Sequence, residues 1–252
     1  ARGSFARVIT RPSLQDLSAF RLVDEVNRRI TARNPELDPF RANQYEFSLE
    51  YYPNKETQLS ATVFFKDIET FISQETSFIP FNGETYELRQ PVNGNDAFIH
   101  GVELNFQQPF TFLPGFLAGF GIATNYTLSK SNFREELEDG STETYALPNN
   151  SEHSYNLVFY YEKYGFMFRV AQNYRSSFLR EIPNPVDGLK YRDDVRISDV
   201  SSSYDLTKNL SLTFNVLNIF NAKRYEYIFD RRFMDNVSFF GRTYQFGLRA
   251  KF

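Results

Sequence analysis

From Gly241 to the end of the chain, apolar and polar residues alternate one by one. Tyr244, Phe246, Leu248, Ala250 and Phe252 fall on one side of an extended strand, with Arg242 the exception. Thr243, Gln245, Gly247, Arg249 and Lys251 fall on the other. A period of two marks a strand with one apolar and one polar face. The pattern recurs. In 43–52, Tyr45, Phe47, Leu49 and Tyr51 oppose Gln44, Glu46, Ser48 and Glu50, and in 57–71, Leu59, Ala61, Val63 and Phe65 oppose Gln58, Ser60, Thr62 and Phe64. It continues in 97–107 (Phe98, Val102, Leu104, Phe106), 116–128 (Phe116 to Leu128) and 153–161 (Tyr155, Leu157, Phe159, Tyr161). From Phe166 it resumes through Phe168 and Val170, and it returns in 191–206 and 210–216. In 191–206 the alternation slips near Ile197–Val200, which predicts a bulge there. With a short piece at 5–10, ten strands are expected.

Their connections alternate in length. Those at 12–41, 72–94, 130–150, 176–190 and 220–239 are long, and those at 53–56, 109–115, 162–165 and 207–209 are short. Leu14 to Ile30, inside the first, is expected to hold a turn or two of helix, and 72–94 to hold extended pieces such as Thr85 to Arg89. In an antiparallel meander every other connection lies on the same rim, so one rim is trimmed and the other decorated, as in outer-membrane barrels. Several strands reach the length of a tilted membrane crossing. The fold class read from the pattern is therefore all-β, an antiparallel transmembrane β-barrel. A soluble β-sandwich is the structural alternative and requires a covered apolar face.

Composition sharpens this reading. The 252 residues include 28 Phe and 16 Tyr but no Trp, while the mean hydropathy is only −0.47. Such a chain interleaves aromatic with polar residues, and aromatic girdles mark both interfaces of membrane barrels. No stretch is apolar enough for a spanning helix, and no signal peptide is visible. The absence of cysteine excludes disulfides and thiolate metal sites. A net charge of −3 gives no basic footprint, so no nucleic-acid partner is expected.

Six stretches together carry a resemblance. They are F-A-R-V-I-T-R-P-S at 5–13, N-P-E-L-D-P-F-R-A-N-Q-Y-E-F-S-L-E-Y-Y at 34–52, and N-G-N-D-A-F-I-H-G-V-E-L-N-F-Q at 93–107. They continue with L-P-G-F-L-A-G-F-G-I-A-T-N-Y-T at 113–127, N-L-S-L-T-F-N-V-L-N-I-F-N at 209–221 and the terminal G-R-T-Y-Q-F-G-L-R-A-K-F at 241–252. The chain resembles the C-terminal barrel portion of a TonB-dependent outer-membrane receptor of Gram-negative bacteria. The resemblance implies that residues 1–252 are about the last ten strands of a 22-stranded barrel. An N-terminal plug, a TonB box and the earlier strands would lie outside this chain. The implied partners are TonB–ExbB–ExbD, the plug, the remaining strands, outer-membrane lipid and a surface lipoprotein. The implied activity is active uptake at the cell outer membrane and not catalysis, with no cofactor. The wording of 38–45, 93–97 and 113–121 tilts the substrate toward an oligosaccharide over a ferric siderophore. A passive porin or a barrel enzyme is the further alternative, and no nucleophile–base arrangement suggests the latter.

No catalytic, metal or cofactor residue is assigned, but several candidates are weighed. His100 and His153 are the only histidines and read as isolated wall residues before a metal pair. Glu135, Glu136, Glu138 and Asp139 read as a solvated acidic loop, since they lack calcium-loop spacing. Glu46, Glu50, Glu103, Arg169, Arg249 and Lys251 are expected to face a watery interior. Phe78, Phe81 and Tyr86 are offered as rings that stack on sugars. Asn125-Tyr126-Thr127 and Asn209-Leu210-Ser211 match the glycan acceptor rule but lie in strands and are discounted.

Overall fold

The computed structural model describes residues 1–136, 140–180 and 188–250. Strand β1 (Arg2–Thr10) is followed by a small hairpin, β2 (Arg21–Asp24) and β3 (Arg29–Ala32). Then come β4 (Phe40–Tyr51), β5 (Gln58–Phe81), β6 (Glu84–Pro109) and, after a 3-10 turn at Gly115–Gly119, β7 (Phe120–Glu136). They are followed by β8 (Thr142–Tyr145), β9 (His153–Lys163), β10 (Phe166–Arg175), β11 (Phe178–Leu179), β12 (Lys190–Arg192) and β13 (Val195–Thr207). The chain ends with β14 (Leu210–Leu217), β15 (Lys223–Ile228), β16 (Met234–Phe239) and β17 (Thr243–Ala250).

Ten of these form one continuous antiparallel wall, in the order β1-β4-β5-β6-β7-β9-β10-β13-β14-β17. They correspond to the ten expected strands. Among the described residues β1 and β17 pair with one neighbour each and not with each other, so the wall is open. Register fixes the faces. Phe5, Tyr45, Phe65, His100 and Lys130 lie on one cross-strand line, and Thr124, Leu157 and Gln172 on another, all on the apolar face. That face is uncovered: Phe47, Leu49, Leu104 and Phe246 are 48%, 52%, 46% and 81% exposed. A soluble sandwich would bury such side chains, so this alternative fails. Two aromatic lines border the face. Phe5, Tyr45, Phe65 and Phe98 follow one another at 5.1–6.4 Å toward the long-loop rim, and Phe120, Tyr161 and Phe166 at 4.9–6.0 Å toward the other. Such paired aromatic lines are the girdles of a membrane barrel.

Several expectations are corrected. The segment 14–30 is not helical; a turn secured by Ser13 and Asp16 leads into β2 and β3, and β3 docks parallel to β6. The connection 72–94 is extended far beyond Thr85–Arg89. β5 and β6 run on as a paired tower to a tight turn at Asn82 and Gly83, both at positive φ as such turns demand. The strict alternation of apolar and polar residues ends there because the tower has left the apolar layer. Pairing of β10 with β13 is unbroken across Ile197–Val200; the shift lies at Asp205/Thr207. The apparent slip arises because Ser198 and Ser202 occupy the apolar face, where Ser198 receives a hydrogen bond from Gln172 Nε2. The expected strand at 116 begins at Phe120, after the 3-10 turn. The final strand is described to Ala250.

A small core sits on the polar face near the long-loop rim. Ala42, Ile68, Phe71, Ala97 and Phe133 from the wall pack with Leu147, which lies beyond β8. Thus segment 142–152 is drawn over the polar face instead of standing away from it. Phe71 lies over Gly94, where a Cβ would come within 2.3 Å of the ring.

A polar recess under the loop sheet

Where β7, β9 and β10 reach the long-loop rim, their polar faces present Thr127, Ser129, Ser154, Asn156, Asn173 and Arg175. Segment 149–151 closes over them, leaving a recess of about 390 Å³. Local hydrogen bonds hold the segment. Leu147 N donates to Ser131 Oγ at 3.1 Å, Asn150 Nδ2 to the Ser129 carbonyl at 2.9 Å, and Ser151 Oγ to the Ser176 carbonyl at 3.0 Å. The floor is an amide row: Asn156 Nδ2 donates to Asn125 Oδ1 at 2.9 Å, and Asn173 Nδ2 to Asn156 Oδ1.

Arg175, at the end of β10, joins this recess to the loops. Its Nε donates to Ser151 Oγ at 2.6 Å and one terminal nitrogen donates to the Asn149 carbonyl. Its guanidinium lies 4.0 Å from the ring centroid of buried Phe178 on β11, and Arg192 on β12 approaches the same ring at 5.5 Å. These loop strands belong to a second sheet, β11-β12-β15-β16. Its centre is Glu226, only 5% exposed. Glu226 accepts from Arg180 at 2.6 Å and from Arg192 Nε and a terminal nitrogen at 3.0 and 2.7 Å. Burial pushes the Glu226 carboxyl up, but the Arg192 hydrogen bond and the charges of Arg180, Arg192 and Arg224 outweigh it and hold it below its usual range. Tyr191 stacks on Tyr227 at 5.4 Å, and burial followed by that neighbour raises its pKa. Among the described residues, Arg180 and Arg192 thus share one carboxylate, and Arg175 meets Arg192 across the Phe178 ring, beside a surface of amides and hydroxyls. Such a surface suits an oxygen-rich ligand carrying negative charge.

The sequence candidates do not converge here. His100 and His153 lie on the apolar face of β6 and β9, with β7 between them. Among the described residues no group of three or more His, Asp or Glu could hold a metal. Glu138 and Asp139 lie outside the described residues; Glu135 and Glu136 pair through their backbone with β8. Glu46, Glu50, Glu103, Arg169 and Arg249 do occupy the polar face, whereas Lys251 lies outside the described residues. Tyr86 is buried to 4% exposure against Phe81, which Arg21 covers at 5.0 Å. Tyr86 is therefore closed to a sugar, while Phe78 stays half exposed. Sequence reasoning missed Arg175, Arg180, Arg192 and Glu226. Arg175 does continue the polar parity of β10, but nothing in the chain announces that residues 34 and 46 positions apart meet at Glu226.

The family of TonB dependent receptor-like β-barrels matches residues 1–219. The chain belongs to that family. Its members are outer-membrane receptors and transporters, not enzymes, and the open ten-strand wall is a partial barrel of their kind. No curated protein matches by sequence. Among solved structures, a mutant of the ferric enterobactin receptor of Pseudomonas aeruginosa superposes with a TM-score of 0.67 at 16% identity, covering 99% of this chain and 38% of that one. The ferric-catecholate import receptor Fiu of E. coli gives 0.64 at 18% identity, covering 99% and 32%. The copper transporter OprC gives 0.65 at 16%, covering 99% and 36%. This TonB-dependent receptor barrel chain therefore spans well under half the length of the receptors it resembles.

Proposed function

We propose that this chain is the C-terminal part of the wall of a TonB-dependent receptor, working in the cell outer membrane. In this reading the plug, the remaining strands and TonB–ExbB–ExbD complete the uptake machine, and the long-loop rim faces outward. The substrate is a bulky anionic iron chelate of the siderophore class. The observation that carries this choice is the Arg175 guanidinium in the lining of the recess. Guanidinium groups in a partly dry site attract catecholate or carboxylate oxygens, whereas an uncharged oligosaccharide gains little from them. Two of the similar receptors, those for ferric enterobactin and for ferric catecholates, lean the same way. The sugar reading retains one support, the neutral amide and hydroxyl lining of the recess.

Binding to the membrane-extracted receptor decides between them. A ferric catecholate should quench intrinsic fluorescence with saturation, and Arg175→Gln should weaken it about tenfold, as loss of one charge-assisted contact does. Saturable binding of a linear oligosaccharide, unaffected by Arg175→Gln and without chelate binding, would reverse the choice.

A further inference from the structure

A recess on the apolar face plays no part in ligand uptake. Ala61 on β5 and Thr124 on β7 are short, and Leu49, Tyr51, Leu104 and Tyr126 stand around them. They leave a groove of about 530 Å³ with a mostly apolar surface. It crosses β4, β5, β6 and β7, about 14 Å at ordinary strand spacing. Around it lie the exposed apolar side chains between the two aromatic lines, so its surroundings in a bilayer are hydrocarbon.

Toward the long-loop rim this groove leads to charge. Tyr126 walls the groove with its ring, and its hydroxyl lies 2.7 Å from His153 Nδ1. His153 Nε2 is 3.9 Å from Glu152, which Lys130 Nζ approaches at 3.3 Å. Lys130 is the direct cross-strand partner of His100, whose ring packs on Phe98 at 5.8 Å. Four residues along β7, about 13 Å, therefore separate the groove wall from an ammonium flanked by two imidazoles and one carboxylate. These are the dimensions of a lipid: a chain and then a head.

We propose that the groove seats one acyl chain of a net-anionic, phosphate-bearing membrane lipid, with the phosphate against Lys130 and His153. The chain alone gives little selectivity, because lipid tails are as apolar as the groove. Selectivity comes from the basic group at the boundary, which is worth about fivefold for an anionic head. Tyr126 couples the two halves by fixing His153 above the groove.

The test uses the membrane-extracted receptor that contains this chain, stripped of native lipid in detergent. It is titrated with phosphatidylglycerol or phosphatidylcholine of identical chains, and bound lipid is counted by native mass spectrometry. One phosphatidylglycerol should be retained about fivefold more tightly than phosphatidylcholine. Lys130→Gln should erase that preference alone. Ala61→Phe, which fills the groove, should lose both lipids, and Thr124→Leu provides a second filling variant should the first not fold, as judged by heat-modifiable gel migration. Equal retention of the two lipids by the unmodified protein would overturn the proposal. So would undiminished retention in the folded groove variant, or displacement by inorganic phosphate alone. Chelate binding is read separately, so failure here leaves the uptake reading standing, and the reverse.

Discussion

Removing the Glu226 carboxylate is the sharpest test of how the loop sheet is held. Glu226→Ala deletes three hydrogen bonds from two guanidinium groups and leaves both charges facing each other. Breaking a buried ion pair by removing one partner costs about 3–5 kcal/mol. Here Arg180 and Arg192 keep 40% and 25% of their side-chain exposure, so water recovers part of the loss. The expected cost is about 2–3 kcal/mol, equivalent to roughly 30- to 150-fold in a local opening equilibrium. It should fall on the loop sheet and not on the wall, because Glu226 contacts no wall strand directly in these pairs. Native-state hydrogen exchange reads this residue by residue. Backbone amides of the β12–β15 ladder, around Tyr191 and Tyr227, should exchange faster by that factor, while those of β9 and β10 keep their protection. Unchanged exchange in the ladder, or equal loss across the wall, would refute the assembly as the clamp.

Acid should act in the same direction as that substitution. The Glu226 carboxyl is held below its ordinary value of 4.5, so the stabilisation it supplies is fully present above that pH. The stabilisation is lost as the pH falls from 4.5 through the lower folded value, and the unmodified loop sheet should loosen only there. Glu226→Gln should remove the pH dependence in that window.

Three further outcomes test the wall. Phe214→Asp should reduce assembly into membranes, since it loses the 4.7 Å ring pair with Phe246 and puts an anion in hydrocarbon, together about 2–3 kcal/mol; normal yield of heat-modifiable protein would contradict the face assignment. Cysteine at Asp230→Cys should react with an impermeant reagent on whole cells, whereas Lys208→Cys should not, and the opposite labelling would invert the orientation. Phe133→Ala should destabilise the polar-face core by about 3–5 kcal/mol, given that Phe133 is 1% exposed; a thermal melt within a degree of the unmodified protein would show that segment 142–152 is not anchored there.

The wall was legible because its signal is local. Tyr45, Phe47, Leu49 and Tyr51 declare their common face within seven residues, and each hairpin partner repeats the declaration, so register follows from parity. What failed were places where parity meant something else. Lys66, Asp67 and Glu69 suggested that the strand ends near Phe71, but a strand that rises out of the bilayer needs no strict alternation, and its pairing carries it on to Phe81. Ser198 suggested a bulge, but a hydroxyl tolerates the apolar face once Gln172 supplies its partner. Phe133 and Leu147, near the expected polar loop, gave no sign that a core could form on the wet side.

The candidate site was illegible for a different reason. Its parts are a guanidinium from the end of β10, an aromatic ring from β11, and a carboxylate from β15 that two further arginines share. No periodicity links them; only the folding of two long connections into one sheet does. The sequence-based tilt toward sugar rested on the wording of 38–45, 93–97 and 113–121; Phe78, Phe81 and Tyr86, the rings offered for stacking, stand on the tower, and burial removes Tyr86 from use. Charge then weighs more than stacking. A ring accepts either a sugar or a catecholate, but guanidinium groups beside a recess discriminate between a neutral and an anionic ligand. In the proposed uptake role Arg175 is therefore the residue on which the choice of substrate turns, and its replacement separates the two chemistries where no aromatic substitution would.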